Sequence, residues 1–166
     1  MGPLDRLNAD PAAQVLPTLL ACCDVPAWAD AVLAGRPYAS AQELYAVADA
    51  AARDFSPAEV DRALAAHPRI GQRVRGNGTG AGWSRQEQSG VATDSATQQA
   101  LQDGNRAYEN RFGRVFLICA TGLSSEEILS SLRERLEHDE QTEAAVVAEE
   151  LRKIALLRLS KAVDET

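Results

Sequence analysis

The segment Ser56-Pro57-Ala58-Glu59 decides the fold class, because a serine followed three residues later by glutamate is a capping box that starts a helix. Pro57 stands at the first helical position, where its missing N–H costs nothing. Apolar residues follow at helical spacing from Val60 to Leu64. We expect this helix to stop at His67-Pro68, since proline disfavours helical geometry in the residue before it.

The same starting signal recurs along the chain. Capping boxes at Ser40-Ala41-Gln42-Glu43 and Ser124-Ser125-Glu126-Glu127 each precede apolar residues at helical spacing. Apolar and aromatic side chains at helical spacing predict a further helix from about residue 95 to residue 112. Either Asp139 or Thr142 starts the last and longest helix.

Composition supports the same architecture. Hydrophobic residues make up 45% of the 166 residues but aromatic ones only 5%, so alanine and leucine fill the core, which favours helices over sheet. The short apolar run Val115–Ala120 is too brief for a sheet and is expected to be a buried turn or the start of a helix. We therefore predict an all-α fold, a single-domain bundle over residues 1–166 with roughly eight short helices and a long C-terminal helix.

The charge balance restricts the partners. A formal net charge of -7 argues against nucleic acid, because phosphate contacts need a surplus of lysine and arginine. The stretch from Glu126 to Glu150 is especially acidic and is expected to be a solvated helix face. The three cysteines, Cys22, Cys23 and Cys119, fit reduced thiols better than disulfides. With no secretion signal and no membrane-spanning apolar run, the expected location is cytoplasmic.

His67 opens a basic island in this acidic chain. From His67 to residue 75 there are three arginines and no carboxylate, a charge pattern that suits a small anion. Histidine moves protons near neutral pH, so His67 is a candidate acid or base, although it could equally just end its helix.

Two neighbouring segments could complete a site. The run Gly76–Gly82 lacks the ending of a phosphate-binding P-loop, which favours a flexible connector and leaves open whether it acts as a lid. Ser84-Arg85-Gln86-Glu87-Gln88 is either another helix start or a polar surface for a small molecule, with Glu87 able to orient a nearby imidazole. The histidines and cysteines form no usual metal set, so we expect no metal; His138 and Cys119 are expected to be structural.

Three ordered motifs resemble the 2-oxo-4-hydroxy-4-carboxy-5-ureidoimidazoline (OHCU) decarboxylases of urate breakdown. They are His67-Pro68-Arg69-Ile70-Gly71, then Ser84-x-x-Glu87-Gln88, then Asn105-x-x-Tyr108-x-x-Arg111-Phe112-Gly113-x-x-Phe116. The resemblance implies an all-helical, commonly dimeric enzyme that needs no cofactor and converts OHCU to (S)-allantoin.

The resemblance also implies the site residues. His67 would be the catalytic acid or base, and Glu87 would position it or bind the substrate. The substrate would be surrounded by Pro68, by Ser84, Arg85, Gln86, Glu87 and Gln88, and by the backbone of Phe116, Leu117, Ile118, Cys119 and Ala120. Arg69 and Arg111 could guide the substrate carboxylate or serve as structural ion-pair partners. The rival hypotheses are a non-enzymatic helical interaction module and a different small-molecule lyase or hydrolase.

Overall fold

The protein is all-α, as predicted. A computed structural model describes residues 1–72, 74 and 76–164, and within them there are nine α-helices and no β-strand. The helices are α1 Pro3–Ala9, α2 Ala12–Cys22, α3 Pro26–Ala34, α4 Ala41–Ala51, α5 Pro57–Leu64, α6 Thr79–Glu87, α7 Ser95–Phe112, α8 Ser125–Leu136 and α9 Glu140–Asp164. Arg73 and Arg75, two arginines of the basic island, lie outside the described residues.

The helix starts predicted at Ser40, Ser56 and Ser124 are confirmed by their hydrogen bonds. The N–H groups of Glu43, Glu59 and Glu127 donate to the hydroxyl oxygens of Ser40, Ser56 and Ser124, at 3.2 to 3.3 Å. The helix from Ser95 to Phe112 has the predicted bounds. Of the two candidate starts for α9, Asp139 is the cap, because its carboxylate accepts the Thr142 N–H at 2.7 Å.

Of the two alternatives for the segment around Ser84, the helix start is wrong, while the polar surface for a small molecule stays a prediction. Helix α6 begins at Thr79, so Ser84 lies inside the helix rather than at its start, and Glu87 is its last residue. The second half of the glycine run Gly76–Gly82 is thus helical and not a connector. Packing explains the difference, since most helical stability comes from tertiary burial, and Trp83 is buried together with Ser84.

The chain divides into two compact units. One consists of Met1–Ala63 with residues 151–166, and it contains α1 to α4, most of α5 and the second half of α9. Trp28 on α3 is buried there, and its indole N–H donates to the carbonyl oxygen of Ala48 at 3.0 Å. The guanidinium of Arg158 on α9 donates to the carbonyl oxygen of Ala21 at 2.9 Å. Helix α1 was not predicted, although Pro3 lies in its first turn and the Asp5 carboxylate accepts the Gly2 N–H at 2.9 Å.

The other unit, Leu64–Glu150, contains every predicted site residue. Its buried core is built on α7 and α8 and consists of Ile70, Leu101, Tyr108, Phe116, Ile118, Ala120, Ile128 and Leu132. The run Val115–Ala120 is neither a turn nor a helix start; it has no regular secondary structure and is buried at four of its six residues. Its hydrophobic side chains pack against α7 and α8, so burial stabilises this segment in the absence of secondary-structure hydrogen bonds. That the whole chain is a single domain stays a prediction.

No helix among the described residues is both long enough and apolar enough to cross a membrane.

Candidate active site

A cavity of about 350 Å³ opens beside His67. Its wall is formed by the residues after α5 and by the residues after α7, namely Leu64, Ala65, His67, Pro68, Arg69, Gln72, Arg114 and Val115. Helix α5 ends at Leu64, three residues earlier than the predicted stop, and the His67 N–H donates to the Leu64 carbonyl at 3.0 Å. A tight turn beyond the helix therefore holds His67 in the cavity wall.

The segment that follows His67 is fastened from two sides. Asn105 on α7 donates from Nδ2 to the carbonyl oxygen of Ile70 at 2.9 Å, and Gln88 accepts the Gly71 N–H on Oε1 at 3.0 Å. Gly71 has a φ of 86°, a left-handed conformation that favours glycine, and a Cβ there would lie 3.0 Å from Leu101. The motif that begins at His67 is thus hydrogen-bonded to the motif that begins at Asn105. The Gln88 side chain binds a backbone N–H group of the His67 motif, that of Gly71.

Two arginines in the cavity wall are each paired with a carboxylate. Arg69 donates from Nε to Glu109 at 2.5 Å, and this hydrogen bond raises the pKa of the Arg69 guanidinium. Arg114 donates from Nη1 to Glu140 at 2.7 Å. Each guanidinium group of the cavity wall therefore already has one carboxylate partner.

The predicted residues on α6 differ in their surroundings. Ser84 is buried, Glu87 and Gln88 are half-buried, and Arg85 and Gln86 are exposed. The Arg85 guanidinium donates to the carbonyl oxygen of Gly76. Among the described residues that line the His67 cavity, none comes from residues 84–88 or 116–120. His67 and Pro68 both line the cavity. Residues 116–120 do not line it, but Arg114 and Val115, which come just before them in the chain, do.

Residues 116–120 are held by side chains of α8 and α9. Arg135, which is 3% exposed, donates from Nη1 to the carbonyl oxygen of Leu117 at 2.6 Å, and its guanidinium lies 4.6 Å from the centre of the Phe116 ring. Glu150 accepts the Cys119 N–H at 3.2 Å. Backbone groups that the resemblance assigns to substrate binding are thus partly engaged by protein.

A buried carboxylate organises this region and was missed in the sequence. Glu143 is fully buried and accepts hydrogen bonds from the Tyr108 hydroxyl at 2.7 Å and from Arg135 Nε at 2.7 Å. Burial, followed by the hydrogen bond to Glu143, raises the pKa of Tyr108 to about 12. His138 Nδ1 lies 3.0 Å from the second oxygen of Glu143. The prediction of a solvated acidic face is therefore wrong at Glu143 and also at Glu150, which is buried.

Three residues of the third motif, Arg111, Tyr108 and Phe112, have structural contacts. Arg111 is exposed, donates to the carbonyl oxygen of His138 at 2.6 Å and lies over the Phe112 ring. Tyr108 is in the core and Phe112 packs against it.

Across the part of the chain that is described, no group of three or more histidine, cysteine, aspartate or glutamate side chains could hold a metal ion.

Comparison with known proteins identifies the family. The sequence model of the OHCU decarboxylase family matches residues 8–160, which is most of the chain. The chain belongs to the OHCU decarboxylase family. Of its curated relatives, the 2-oxo-4-hydroxy-4-carboxy-5-ureidoimidazoline decarboxylase of Amia calva is 35% identical over 81% of this chain and 78% of that protein.

Two further similar proteins agree with this assignment. A uric acid degradation bifunctional protein of Arabidopsis thaliana is 28% identical over 84% of this chain, which spans only 44% of that longer protein. A crystal structure of an OHCU decarboxylase in the presence of (S)-allantoin superposes with a TM-score of 0.74 at 28% identity, covering 88% of this chain and 96% of that one. The all-α fold is therefore the family's fold.

Proposed function

We propose that this chain catalyses the decarboxylation of OHCU to (S)-allantoin, with His67 as the acid or base. The observation that carries the proposal is the cavity in which His67 and Pro68 stand beside Arg69 and Arg114. An imidazole next to guanidinium groups suits a carboxylate substrate that must be bound and then protonated. Membership of the OHCU decarboxylase family supports the same substrate.

The chemistry follows from the substrate itself. The bond between a ring carbon and the carboxylate breaks, carbon dioxide leaves, and the electron pair passes into the conjugated C=N and carbonyl groups of the substrate. Because those groups hold the charge, we expect no cofactor to be needed as an electron sink. Hydrogen-bond donors aimed at the developing negative charge stabilise the transition state. A proton from His67 then adds to one face of the ring, which gives a single enantiomer.

We assign supporting roles to the remaining predicted residues. Glu87 would orient His67 or accept from the ring and ureido N–H groups. Ser84, Arg85, Gln86 and Gln88, together with the backbone of Phe116, Leu117, Ile118, Cys119 and Ala120, would complete the pocket around the bound substrate. Substrate binding would draw residues 84–88 towards His67, as closing loops do in many enzymes.

The proposal also covers assembly and location. We propose a homodimer, which the resemblance implies, and a cytoplasmic location, which agrees with three cysteines that form no disulfide within the described residues. Light scattering behind size-exclusion chromatography tests the first, and a mass of one chain would contradict it. Fluorescent tagging in the source cell tests the second, and signal outside the cytoplasm would contradict it.

One assay tests the function. OHCU is generated fresh by urate oxidation, the protein is added, and loss of the OHCU absorbance and growth of the allantoin circular dichroism signal are followed together. We expect faster decay than without protein, and one enantiomer of allantoin. Decay and optical signal that match the protein-free reaction would favour the helical interaction module.

A further inference from the structure

We propose that Arg135, held by Glu143, is a positioning residue for the wall of the His67 cavity. The inference rests on the proposed decarboxylation, because it concerns the same site. The wall includes Arg114 and Val115, and the chain then continues directly into residues 116–120. This stretch has no regular secondary structure, so its own backbone does not hold it in place.

Side chains from α8 and α9 hold this stretch at three successive points. Glu140 binds the Arg114 guanidinium at 2.7 Å, Arg135 donates to the Leu117 carbonyl at 2.6 Å, and Glu150 accepts the Cys119 N–H at 3.2 Å. The middle contact is the most buried, since Arg135 is 3% exposed. The position of the wall relative to His67 therefore depends on where the Arg135 guanidinium stands.

Glu143 fixes that guanidinium. Its carboxylate is fully buried and receives both Arg135 Nε and the Tyr108 hydroxyl at 2.7 Å, so it is tied to α7 as well as to α8. The guanidinium also faces the Phe116 ring at 4.6 Å. An arginine fork with one edge on a carboxylate and another N–H on a carbonyl has little freedom to shift.

Burial of this pair is hard to explain by stability alone. Removing two charges from water costs free energy that their attraction repays only in part, and replacing such pairs with apolar residues of similar size is often neutral or stabilising. A role in fixing the Leu117 carbonyl explains why an arginine is needed there, because only a fork reaches both Glu143 and the backbone.

The test replaces both charges together. In Arg135→Met/Glu143→Gln, neither charge is left unpaired, and the glutamine oxygen still accepts from Tyr108. We expect a folded protein whose melting temperature is lowered by the loss of the donor to the buried Leu117 carbonyl. We also expect a kcat at least about tenfold lower (about 1.4 kcal/mol in the barrier) and a reduced enantiomeric excess of allantoin. Arg133→Met on the exposed side of α8 is the matched control and should leave all three values unchanged.

A folded double variant with wild-type kcat and enantiomeric excess would overturn the proposal. If the double variant does not fold, Arg135→Lys decides, because lysine keeps the charge beside Glu143 but cannot also reach Leu117 as a fork. We expect a folded Arg135→Lys protein with lowered kcat, and full activity would overturn the proposal. Wild-type protein is assayed in parallel: if it does not convert OHCU, the proposed function fails and this inference fails with it.

Discussion

Asn105 donates a hydrogen bond from Nδ2 to the main-chain oxygen of Ile70, across 2.9 Å. Asn105 is 4% exposed, so this bond is made away from solvent. It joins the middle of α7 to the segment that carries His67, which lies only three residues before Ile70. The position of the candidate acid or base is thus set by a polar contact from a helix that does not itself line the cavity.

We expect Asn105→Ala to lower both stability and activity. The change leaves the buried Ile70 carbonyl without its donor, a loss of about 1–3 kcal/mol. It also loosens the turn that holds His67, so kcat should fall with it. Urea unfolding and the OHCU assay measure the two effects. Asn110→Ala, at an exposed position of the same helix, is the control, and equal behaviour of the two variants would show that the bond to Ile70 is unimportant.

A second prediction concerns Glu87, which ends α6 and is not part of a capping box. Glu87→Gln therefore tests the carboxylate without removing a helix start. Loss of a charged hydrogen-bond acceptor costs about 1.5–3 kcal/mol, which corresponds to a fall in kcat of roughly 10- to 100-fold. The melting temperature is measured beside kcat. Unchanged kcat in Glu87→Gln would remove the carboxylate from the mechanism.

Substitution by alanine should have opposite effects on stability at Gly104 and at Gly82. A Cβ at Gly104 on α7 would lie 2.2 Å from Cδ2 of Leu132, so Gly104→Ala overpacks the contact with α8 and costs about 1–3 kcal/mol. A Cβ at Gly82 on α6 meets nothing within 4 Å, and there alanine should stabilise the helix by about 0.5–1 kcal/mol. Thermal unfolding measures both. Destabilisation by Gly82→Ala would contradict the helical conformation of residues 79–82.

Cys22 and Cys23 should make stability fall at alkaline pH. Burial raises the pKa of each thiol from 9.0 to about 12. At a pH below the thiol pKa of the unfolded chain, the folded and the unfolded protein both keep these protons, and stability does not change with pH. Between the two values the unfolded chain releases protons that the folded chain retains, so stability falls as pH rises.

The fall should amount to about 2–3 kcal/mol in total between about pH 8 and about pH 10, before tyrosine titration adds to it. Urea unfolding at the two pH values measures this difference. The control is Cys22→Ala/Cys23→Ala, whose stability should be lower throughout but should change less with pH. An equal decline in the wild type and the control would assign the effect to other groups.

The local signals were sufficient for most of the helices. A serine that caps a helix acts through residues three positions away, so the starts of α4, α5 and α8 could be read directly from the sequence. At Ser84 the same pattern misled, because burial of Trp83 extends α6 back through a glycine-rich stretch of low intrinsic propensity. Where a local sequence pattern and tertiary packing favour different structures, packing decides.

His67 could be singled out in the sequence by its residue type and its basic surroundings, and it lines a cavity. Its role as acid or base stays a prediction. Glu143 could not be recognised, because in the sequence it is one carboxylate among many in an acidic stretch. Only the fold shows that Tyr108 and Arg135, which are distant from each other along the chain, converge on it.

The most direct test of the account is the enantiomeric excess of allantoin formed by His67→Asn. The variant keeps a polar side chain in the cavity wall but cannot deliver a proton as imidazole does, so kcat should fall by roughly 10²- to 10⁴-fold. Circular dichroism should show the allantoin that forms to be close to racemic, while the melting temperature stays near that of the wild type. A folded His67→Asn protein that yields (S)-allantoin at the wild-type rate would contradict the central claim.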